Sequence, residues 1–287
     1  MVNRSKVRWR VLTSFVHTAV SVLVMLIVMA VVVGVSARFG GTRAVIPILY
    51  SSAGISLAVF LMSEVIVCVV FRAERADPTK FPNYVESVNE ICRGKWMLRP
   101  RLYVLRITLP GRDEEVPNAM AFGWGILGQY AIGISERLYH MLDREELKAV
   151  LAHEVGHIRC KDVGLMTILA IVTGGAEKLG YLFGRGGTSL GKSPFSLILS
   201  VFFYVVSRFI FPVGRAAIAQ EREYSADAIA ALEVNSPDPL IGALKKLQDA
   251  IPAKNPNVPD EVGVFDDLFL SHPGMEKRIA ALEALRV

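Results

Sequence analysis

Two long apolar runs constrain the fold of this chain more than any other feature of its sequence. They cover residues 11–37 and 45–71, each about 27 residues, and a helix of that length crosses a hydrocarbon core at 1.5 Å per residue. Hydrophobic residues form 52% of the chain and its mean hydropathy is +0.41, which is too apolar for an ordinary soluble protein. The first run is too long for a signal-peptide core, and no small-residue cleavage site follows it. The sequence therefore predicts a membrane protein whose first span stays attached.

Two further apolar stretches, residues 163–183 and 194–214, bring the predicted number of spans to four. An even number of spans places both chain ends on the same side of the membrane. Most Lys and Arg residues lie in the tail 1–10 and in segments 72–162 and 215–287, which the positive-inside rule assigns to the cytoplasm. We therefore expect a multi-pass protein of the cell (inner) membrane with these three segments on its cytoplasmic side.

The sequence His153-Glu154-Val155-Gly156-His157 is an HExxH motif. On a helix, this spacing places two imidazoles on one face, one turn apart, with a carboxylate beside them, as in zinc hydrolases. The segment is predicted to be helical on independent grounds, because Asp143 and Glu146 have the spacing of a capping box ahead of an apolar series. Charged residues just after the motif place this helix in water or at a membrane surface. The alternative is a surface helix with two incidental histidines.

Charge and cysteine content restrict the partners and the redox chemistry. The isoelectric point near 9.1 is explained by the predicted topology and by anionic headgroups, so we expect the lipid bilayer as a partner and no nucleic acid. Cys68, Cys92 and Cys160 are widely spaced and are predicted to be free thiols. Cys160 follows His157 by three residues and could point toward a metal, although a small helix residue is the simpler interpretation.

A catalytic zinc site usually has three protein ligands, so a third ligand must join the two histidines. Glu223 and Asp227 are four residues apart and share a helical face, so one could bind the metal while the other orients a ligating imidazole. A solvated acidic helix start is the alternative for these residues taken singly. The candidates on the predicted cytoplasmic side include Glu221, Glu223, Asp227, His140 and His272.

The order of these features resembles the HtpX-type membrane zinc metalloproteases, relatives of the CAAX prenyl proteases. The resemblance is carried by the HExxH motif between two pairs of spans, the Glu-Tyr-Ser-Ala-Asp stretch 223–227, and Ser271-His272-Pro273. It implies a mainly α membrane protein in which four transmembrane helices join a cytoplasmic α+β zincin-like catalytic domain assembled from two sequence segments. It also implies one zinc ion per chain, with Glu223 as the third ligand and Asp227 as its companion.

The resemblance extends to a strand at the edge of the substrate cleft, formed by Asn118, Ala119, Met120 and Ala121. Met120 stands where the family usually has Phe. Such an edge has a physical rationale, because an extended substrate added as a strand gains sequence-tolerant main-chain hydrogen bonds. Residues 102–108 and 126–134 are predicted as strands around the Asn118 loop. The alternative is an ordinary hairpin packed on the motif helix.

The expected reaction is peptide hydrolysis. Zinc held by His153, His157 and Glu223 is expected to polarise the scissile carbonyl and to lower the pKa of a bound water. Glu154 is the expected general base and acid, and His272, which the resemblance brings to the cleft, is the candidate oxyanion donor. The resemblance implies misfolded or unfolded membrane proteins as substrates, in quality control.

The sequence also allows two alternative functions and predicts one ion pair. A site-2-type intramembrane protease would place HExxH inside a transmembrane helix, and a non-catalytic scaffold or holdase would keep zinc only for folding. Glu64 and Arg208 both lie about 10 Å inside the predicted spans, where ionisable groups seldom face lipid unpaired, so we expect them to pair. The oligomeric state does not follow from the sequence.

Overall fold

The computed structural model describes residues 2–40, 42–94, 99–108, 115–123, 130–162, 164–165, 202, 205–206, 211–250 and 274–286. The helices of this part are α1 (Arg4–Gly40), α2 (Thr42–Leu61), α3 (Ser63–Val70), α4 (Pro82–Cys92), α5 (Glu136–Met141), α6 (Arg144–Arg159), α7 (Phe211–Glu233), α8 (Asp238–Ala250) and α9 (Met275–Glu283). The strands are β1 (Glu74–Arg75), β2 (Arg101–Leu105), β3 (Ala119–Gly123) and β4 (Tyr130–Ser135).

Within the described residues, one helix is long and apolar enough to cross a bilayer. It covers Arg4–Val31, which has 28 residues, and an 18-residue stretch within it has a mean hydropathy of 2.3. The predicted first span, 11–37, lies within α1, whereas the predicted second span, 45–71, folds as α2 and α3 with Met62 between them. Predicted spans three and four lie almost entirely outside the described residues, so the total of four spans stays a prediction.

The chain forms two compact units. The first contains Met1–Ser14, Met62–Val163 and Gln220–Val287, and the second contains Phe15–Leu61 and Gly164–Ala219. The first unit therefore includes α3 and the first turns of α1 in addition to the two segments that were expected to form the catalytic domain. In the second unit, Met25 of α1 is only 3% exposed and lies against Gly214 of α7.

The first unit is built on a four-stranded sheet with the order β1-β2-β4-β3. β2 runs parallel to β4, whereas β1 and β3 are antiparallel to their neighbours. Because β2 and β4 are parallel, they do not form a hairpin with each other. Ile132 and Ile134 of β4 are fully buried in the same core as Leu147 and Leu151 of α6, so the motif helix lies against this sheet. β3 is an edge strand of the described sheet.

The predicted capping box of α6 is confirmed. The Glu146 amide donates to Asp143 Oδ1 and the Asp143 amide donates to Glu146 Oε2, both at 2.9 Å. Glu146 also accepts a hydrogen bond from Lys246 of α8 at 2.6 Å. Helix α6 thus begins at a fixed point between the sheet and α8, which sets the position of every residue that follows in the motif.

Glu64 is hydrogen-bonded to two residues of β2. It is 8% exposed at the start of α3, where it accepts hydrogen bonds from Arg101 and, at 2.9 Å, from the Tyr103 hydroxyl. The expected partner, Arg208, lies outside the described residues. Because α3 is a separate helix packed beside the sheet, Glu64 pairs with β2.

Candidate metal centre

The two histidines of the motif project from one face of α6. Their Nε2 atoms are 3.0 Å apart, and the planes of the two rings are nearly perpendicular at 88°. His153 is 5% exposed and the adjacent Glu154 is 7% exposed, so this part of α6 lies inside the unit. The carboxylate of Glu154 follows His153 by one residue, or about 100° around the helix, and therefore lies beside the imidazole pair.

Glu223 of α7 faces the two imidazoles. Its Oε1 atom is 3.3 Å from His157 Nε2, and its Oε2 atom is 3.5 Å from His153 Nε2. One potential ligand atom from each of the three residues lies within 4.8 Å of the others. Two nitrogens and one carboxylate oxygen converging on a point are the donor set of a catalytic zinc site.

A glycine allows α7 to approach α6 at this point. A Cβ atom added to Gly156 would lie 3.4 Å from the Cα and 3.5 Å from the Cβ of Ala226. Ala226 is itself fully buried. The two small residues thus let the backbones of α6 and α7 come close enough for the Glu223 carboxylate to reach the histidines.

Each histidine is held by an aspartate on its other ring nitrogen. Asp227 Oδ1 is 2.9 Å from His153 Nδ1, and Asp162 Oδ2 is 2.8 Å from His157 Nδ1. A carboxylate at this distance accepts a hydrogen bond from Nδ1–H, which leaves the Nε2 of a neutral imidazole with a free lone pair. Both histidines are therefore set in the tautomer that binds a metal through Nε2.

An arginine lies behind each aspartate. Arg278 of α9 donates to both oxygens of Asp227, at 2.6 and 2.8 Å, and its Nη1 is 3.1 Å from Glu223 Oε2. Arg222 of α7 forms an ion pair with Asp162 and donates to the carbonyl of Cys160 at 3.2 Å. These bonds fix the aspartates, and through them the orientation of the imidazole rings.

The charges of this cluster suit a divalent cation. Four carboxylates and two guanidiniums are buried here, leaving a formal charge of −2 when both imidazoles are neutral; they belong to Glu154, Asp162, Glu223, Asp227, Arg222 and Arg278. Buried charge is costly unless it is compensated. Two lone pairs facing each other at 3.0 Å also repel unless a cation lies between them. One Zn²⁺ satisfies both conditions, so the residues fit the metal.

The directions of the pKa shifts in this cluster also indicate that it favours positive charge. Burial lowers the pKa of His157, but hydrogen bonds with Asp162 and Glu223 outweigh it and raise the pKa well above its ordinary value. For His153, burial again opposes protonation, and Asp227 and Glu223 raise the pKa. Burial raises the pKa of Asp227, but the guanidinium of Arg278 and His153 lower it further, so this carboxyl is held ionised.

Comparisons with known proteins agree with this site. The sequence profile of Peptidase family M48 matches residues 106–286. The chain belongs to peptidase family M48. It is 30% identical over 258 residues to a protein named Protease HtpX homolog from Acidiphilium cryptum, covering 84% of this chain and 87% of the relative. It is 31% identical over 246 residues to the Protease HtpX homolog of Caldanaerobacter subterraneus subsp. tengcongensis, covering 78% and 79%.

The fold has a counterpart in the crystal structure of S. mikatae Ste24p. The TM-score is 0.57 at 16% sequence identity, with 94% of this chain and 67% of that chain covered. At this identity the likeness shows the fold alone. The M48 match and the HtpX homologues identify this chain as a membrane-associated zinc metalloprotease with a zincin-like domain.

The predicted substrate-edge residues lie on or just before β3. The Asn118 amide donates to Ser135 Oγ at 3.0 Å, and its side-chain oxygen accepts from the Ala119 amide at 2.9 Å, which fixes the start of the strand. Ala119, Met120 and Ala121 are partly buried, and β3 lies against α6. In this M48 protein the edge strand and the motif helix are therefore neighbours.

The remaining candidates do not join the cluster or lie outside the described residues. His140 is exposed and lies 3.7 Å from Glu136, and Glu221, two residues before Glu223, is not part of the ligand group. Cys160 ends α6 beside Arg222 and Asp162, where burial raises the pKa of its thiol, and it is not one of the three converging ligands. His272 lies outside the described residues.

Sequence reasoning missed three of the buried charged residues. Asp162 looked like one of several solvated charges after the motif, yet it is 5% exposed and binds His157. Lys161 before it has a positive φ of 57° and lies in the turn that follows α6. No role was assigned to Arg222 or Arg278. In the sequence, the available indication was that two aspartates, Asp162 and Asp227, and two arginines, Arg222 and Arg278, lie in the same predicted cytoplasmic domain. There each acid can pair with an arginine.

Proposed function

We propose that this chain is a zinc-dependent endopeptidase that cleaves peptide bonds at the cytoplasmic face of the cell inner membrane, with one zinc ion per chain held by His153, His157 and Glu223. The buried cluster carries the proposal, since it combines a −2 formal charge with two imidazoles whose Nε2 lone pairs converge beside a carboxylate. When bound in this ligand set, a zinc ion would polarise a peptide carbonyl and lower the pKa of a bound water toward about 7.

Glu154 is the proposed general base. Its carboxylate oxygen takes a proton from the attacking water and then delivers it to the nitrogen of the leaving amine. The residue lies in the buried cluster yet is not one of the three ligand residues, so its carboxylate is available for proton transfer. Arg278 and Arg222 hold the aspartates behind the imidazoles and keep the ligand atoms in place during this step.

The open edge of β3 is the proposed substrate-binding site. β3 pairs with β4 on one side and ends the described sheet order, so an extended peptide can add to it as a further strand. Asn118 fixes the start of this strand through its bonds to Ser135 and Ala119. A peptide bound along β3 lies beside α6, with its backbone close to the ligand cluster.

Pairing through the main chain of β3 also favours extended, unfolded chains as substrates. Since an edge strand contacts backbone amides and carbonyls, it accepts many sequences provided the chain is extended, and folded proteins rarely offer such a chain. We therefore propose misfolded or unfolded membrane proteins as substrates, in quality control. The proposed topology has four spans, which the four apolar runs support, and both ends in the cytoplasm, which the distribution of Lys and Arg supports.

Substitution of Glu154 by Gln tests the mechanism. The variant should retain zinc, because Glu154 is not in the ligand group, and should lose about 10²- to 10⁴-fold in the rate of casein cleavage in detergent. Glu145→Gln, at an exposed position of the same helix, is the matched control and should cleave at the wild-type rate. Robust turnover by the Glu154 variant would refute the mechanism.

Metal analysis tests the ligand set and the scaffold alternative. Purified wild type should contain about one zinc ion per chain, and Glu223→Ala should contain much less, whereas Glu221→Ala should keep it. A wild-type protein that holds zinc but cleaves no peptide, with or without added zinc, would favour the non-catalytic scaffold. The site-2 alternative requires HExxH inside a membrane span, whereas α6 belongs to the unit that contains the sheet.

A further inference from the structure

A cavity of about 300 Å³ lies between the first turns of α1 and the helices α7 and α9. This volume is at the lower end of the range for ligand pockets. Its α1 wall follows one helix face, since the lining residues there are three, four and seven residues apart, and its interior is mainly apolar. The lining includes Lys6, Trp9, Arg10, Tyr224, Ala228 and Leu282.

The cavity lies at the depth of the lipid headgroups. Helix α1 begins at Arg4, whereas its apolar run begins only at Val11. Lys6 and Arg10 precede that run by at most five residues, or about 8 Å along the helix, which is about the thickness of the headgroup layer on one side of the bilayer. The turn containing Lys6 and Arg10 therefore lies in the headgroup layer. Trp9, 69% exposed, is a residue type enriched at that depth.

Two cations line the cavity. The Lys6 ammonium donates to the carbonyls of Ala284 and Arg286 at 3.1 and 3.0 Å. Within the described part of the chain this leaves its third N–H for another acceptor. The Arg10 guanidinium lies over the Tyr224 ring, 4.6 Å from its centroid. This stacking uses the face of the guanidinium and leaves its in-plane N–H groups available for hydrogen bonds.

Among the described lining residues, the cavity has one carboxylate, that of Asp227. It is 2% exposed and is already bound by Arg278 and His153, so it does not neutralise the two cations. A ligand therefore meets two cations at the opening and apolar side chains inside. An anionic headgroup with an attached acyl chain matches both features, and the adjacent membrane supplies such molecules.

We propose that this cavity binds one anionic phospholipid, with its phosphate between Lys6 and Arg10 and part of an acyl chain against Ala228 and Leu282. A zwitterionic lipid has the same phosphate, but its cationic amine lies beside the same two cations and weakens binding. The bound lipid bridges α1, α7 and α9. Because α7 carries Glu223 and α9 carries Arg278, it stabilises the helices that complete the metal centre while remaining outside it.

Native mass spectrometry of the full-length, zinc-loaded protein in detergent tests the site. With dioleoylphosphatidylglycerol we expect one tightly retained lipid, and with dioleoylphosphatidylcholine none at the same concentration. Arg10→Gln should weaken retention about tenfold or more, through loss of a charge-assisted hydrogen bond. The matched control is Arg8→Gln, which makes the same change at an exposed position outside the cavity lining and should stay within about twofold. Equal losses for the two variants would overturn the proposal.

Two further measurements test the proposal independently of Arg10→Gln, in case that variant fails to fold. Ala281→Leu narrows the cavity while keeping both cations and should also lose the retained lipid, with its own thermal midpoint in detergent as the test of folding. sn-Glycerol 3-phosphate alone should not displace the lipid at equal phosphate concentration. Displacement by this headgroup fragment, or equal retention of the two lipids, would show a general anion or detergent-like site and refute a site for anionic phospholipid.

Discussion

Asp162 offers a sharp test of how the metal centre is held, because it binds no metal in the proposed site. Its Oδ2 accepts a hydrogen bond from His157 Nδ1–H, with the two heavy atoms 2.8 Å apart, and its Oδ1 pairs with Arg222. In Asp162→Asn an NH₂ group replaces one of the two carboxylate oxygens, so one of these two contacts loses its acceptor. If the amide faces Arg222, a buried guanidinium loses its anion. If it faces His157, the imidazole proton moves to Nε2 and blocks the metal.

The expected loss in zinc affinity is at the upper part of the 10- to 100-fold range found for partners of ligating histidines, or roughly 2 kcal/mol. The upper part is expected because Asp162 is only 5% exposed, so water cannot replace the missing acceptor. Zinc affinity would be measured by competition with a chromogenic chelator. Thermal midpoints of the metal-free proteins would show separately how much folding is affected.

Glu145→Gln is the matched control for this experiment. It also converts a carboxylate of the α6 region to an amide, but at an exposed position in the first turn, so zinc affinity should stay within about twofold of wild type. If Asp162→Asn also binds zinc within twofold of wild type, then the aspartate does not set the His157 tautomer, and the reasoning that links each imidazole to its carboxylate is wrong.

Three other perturbations have defined outcomes. Gly156→Val should destabilise the protein by about 1–3 kcal/mol and weaken zinc binding, because the new side chain meets Ala226; unchanged thermal midpoint and zinc affinity would contradict the close approach of α6 and α7. Arg101→Gln should cost about 1–3 kcal/mol of stability by leaving the buried Glu64 with fewer donors, and adding Glu64→Gln should recover part of it in denaturation experiments. Removal of zinc by EDTA should lower the thermal midpoint and abolish casein cleavage, both restored by added zinc, since an ion bound only by the folded state stabilises it.

Local features of the sequence were sufficient for the parts of the site that lie on one helix. The capping box at Asp143 and Glu146 and the i, i+4 spacing of His153 and His157 depend only on helix geometry, which short stretches of sequence reveal. The Glu223 assignment needed more. Spacing left several acidic and histidine candidates open, and the resemblance to a family selected the one that the structure brings to the imidazoles.

Features that depend on long-range packing were not accessible in this way. The apolar run 45–71 predicted a span but not the partners of Glu64, which pairs with β2 because β2 lies beside α3 in the folded unit. Likewise, a strand pattern marks residues as extended without showing their partners. The parallel pairing of β2 with β4, and the position of β3 at the edge, arise from the order in which the chain returns to the sheet.

Hydrophobicity and helix periodicity act over short distances, so the apolar helix, the capped motif helix and the two imidazoles one turn apart could all be read along the chain. The buried groups behind those imidazoles depend on how distant segments fold together. Asp162, Arg222 and Arg278 are ordinary charges along the chain, and they become part of the site only where folding buries them against the histidines and each other. Burial is the physical reason, because only away from water must every charge have a compensating partner.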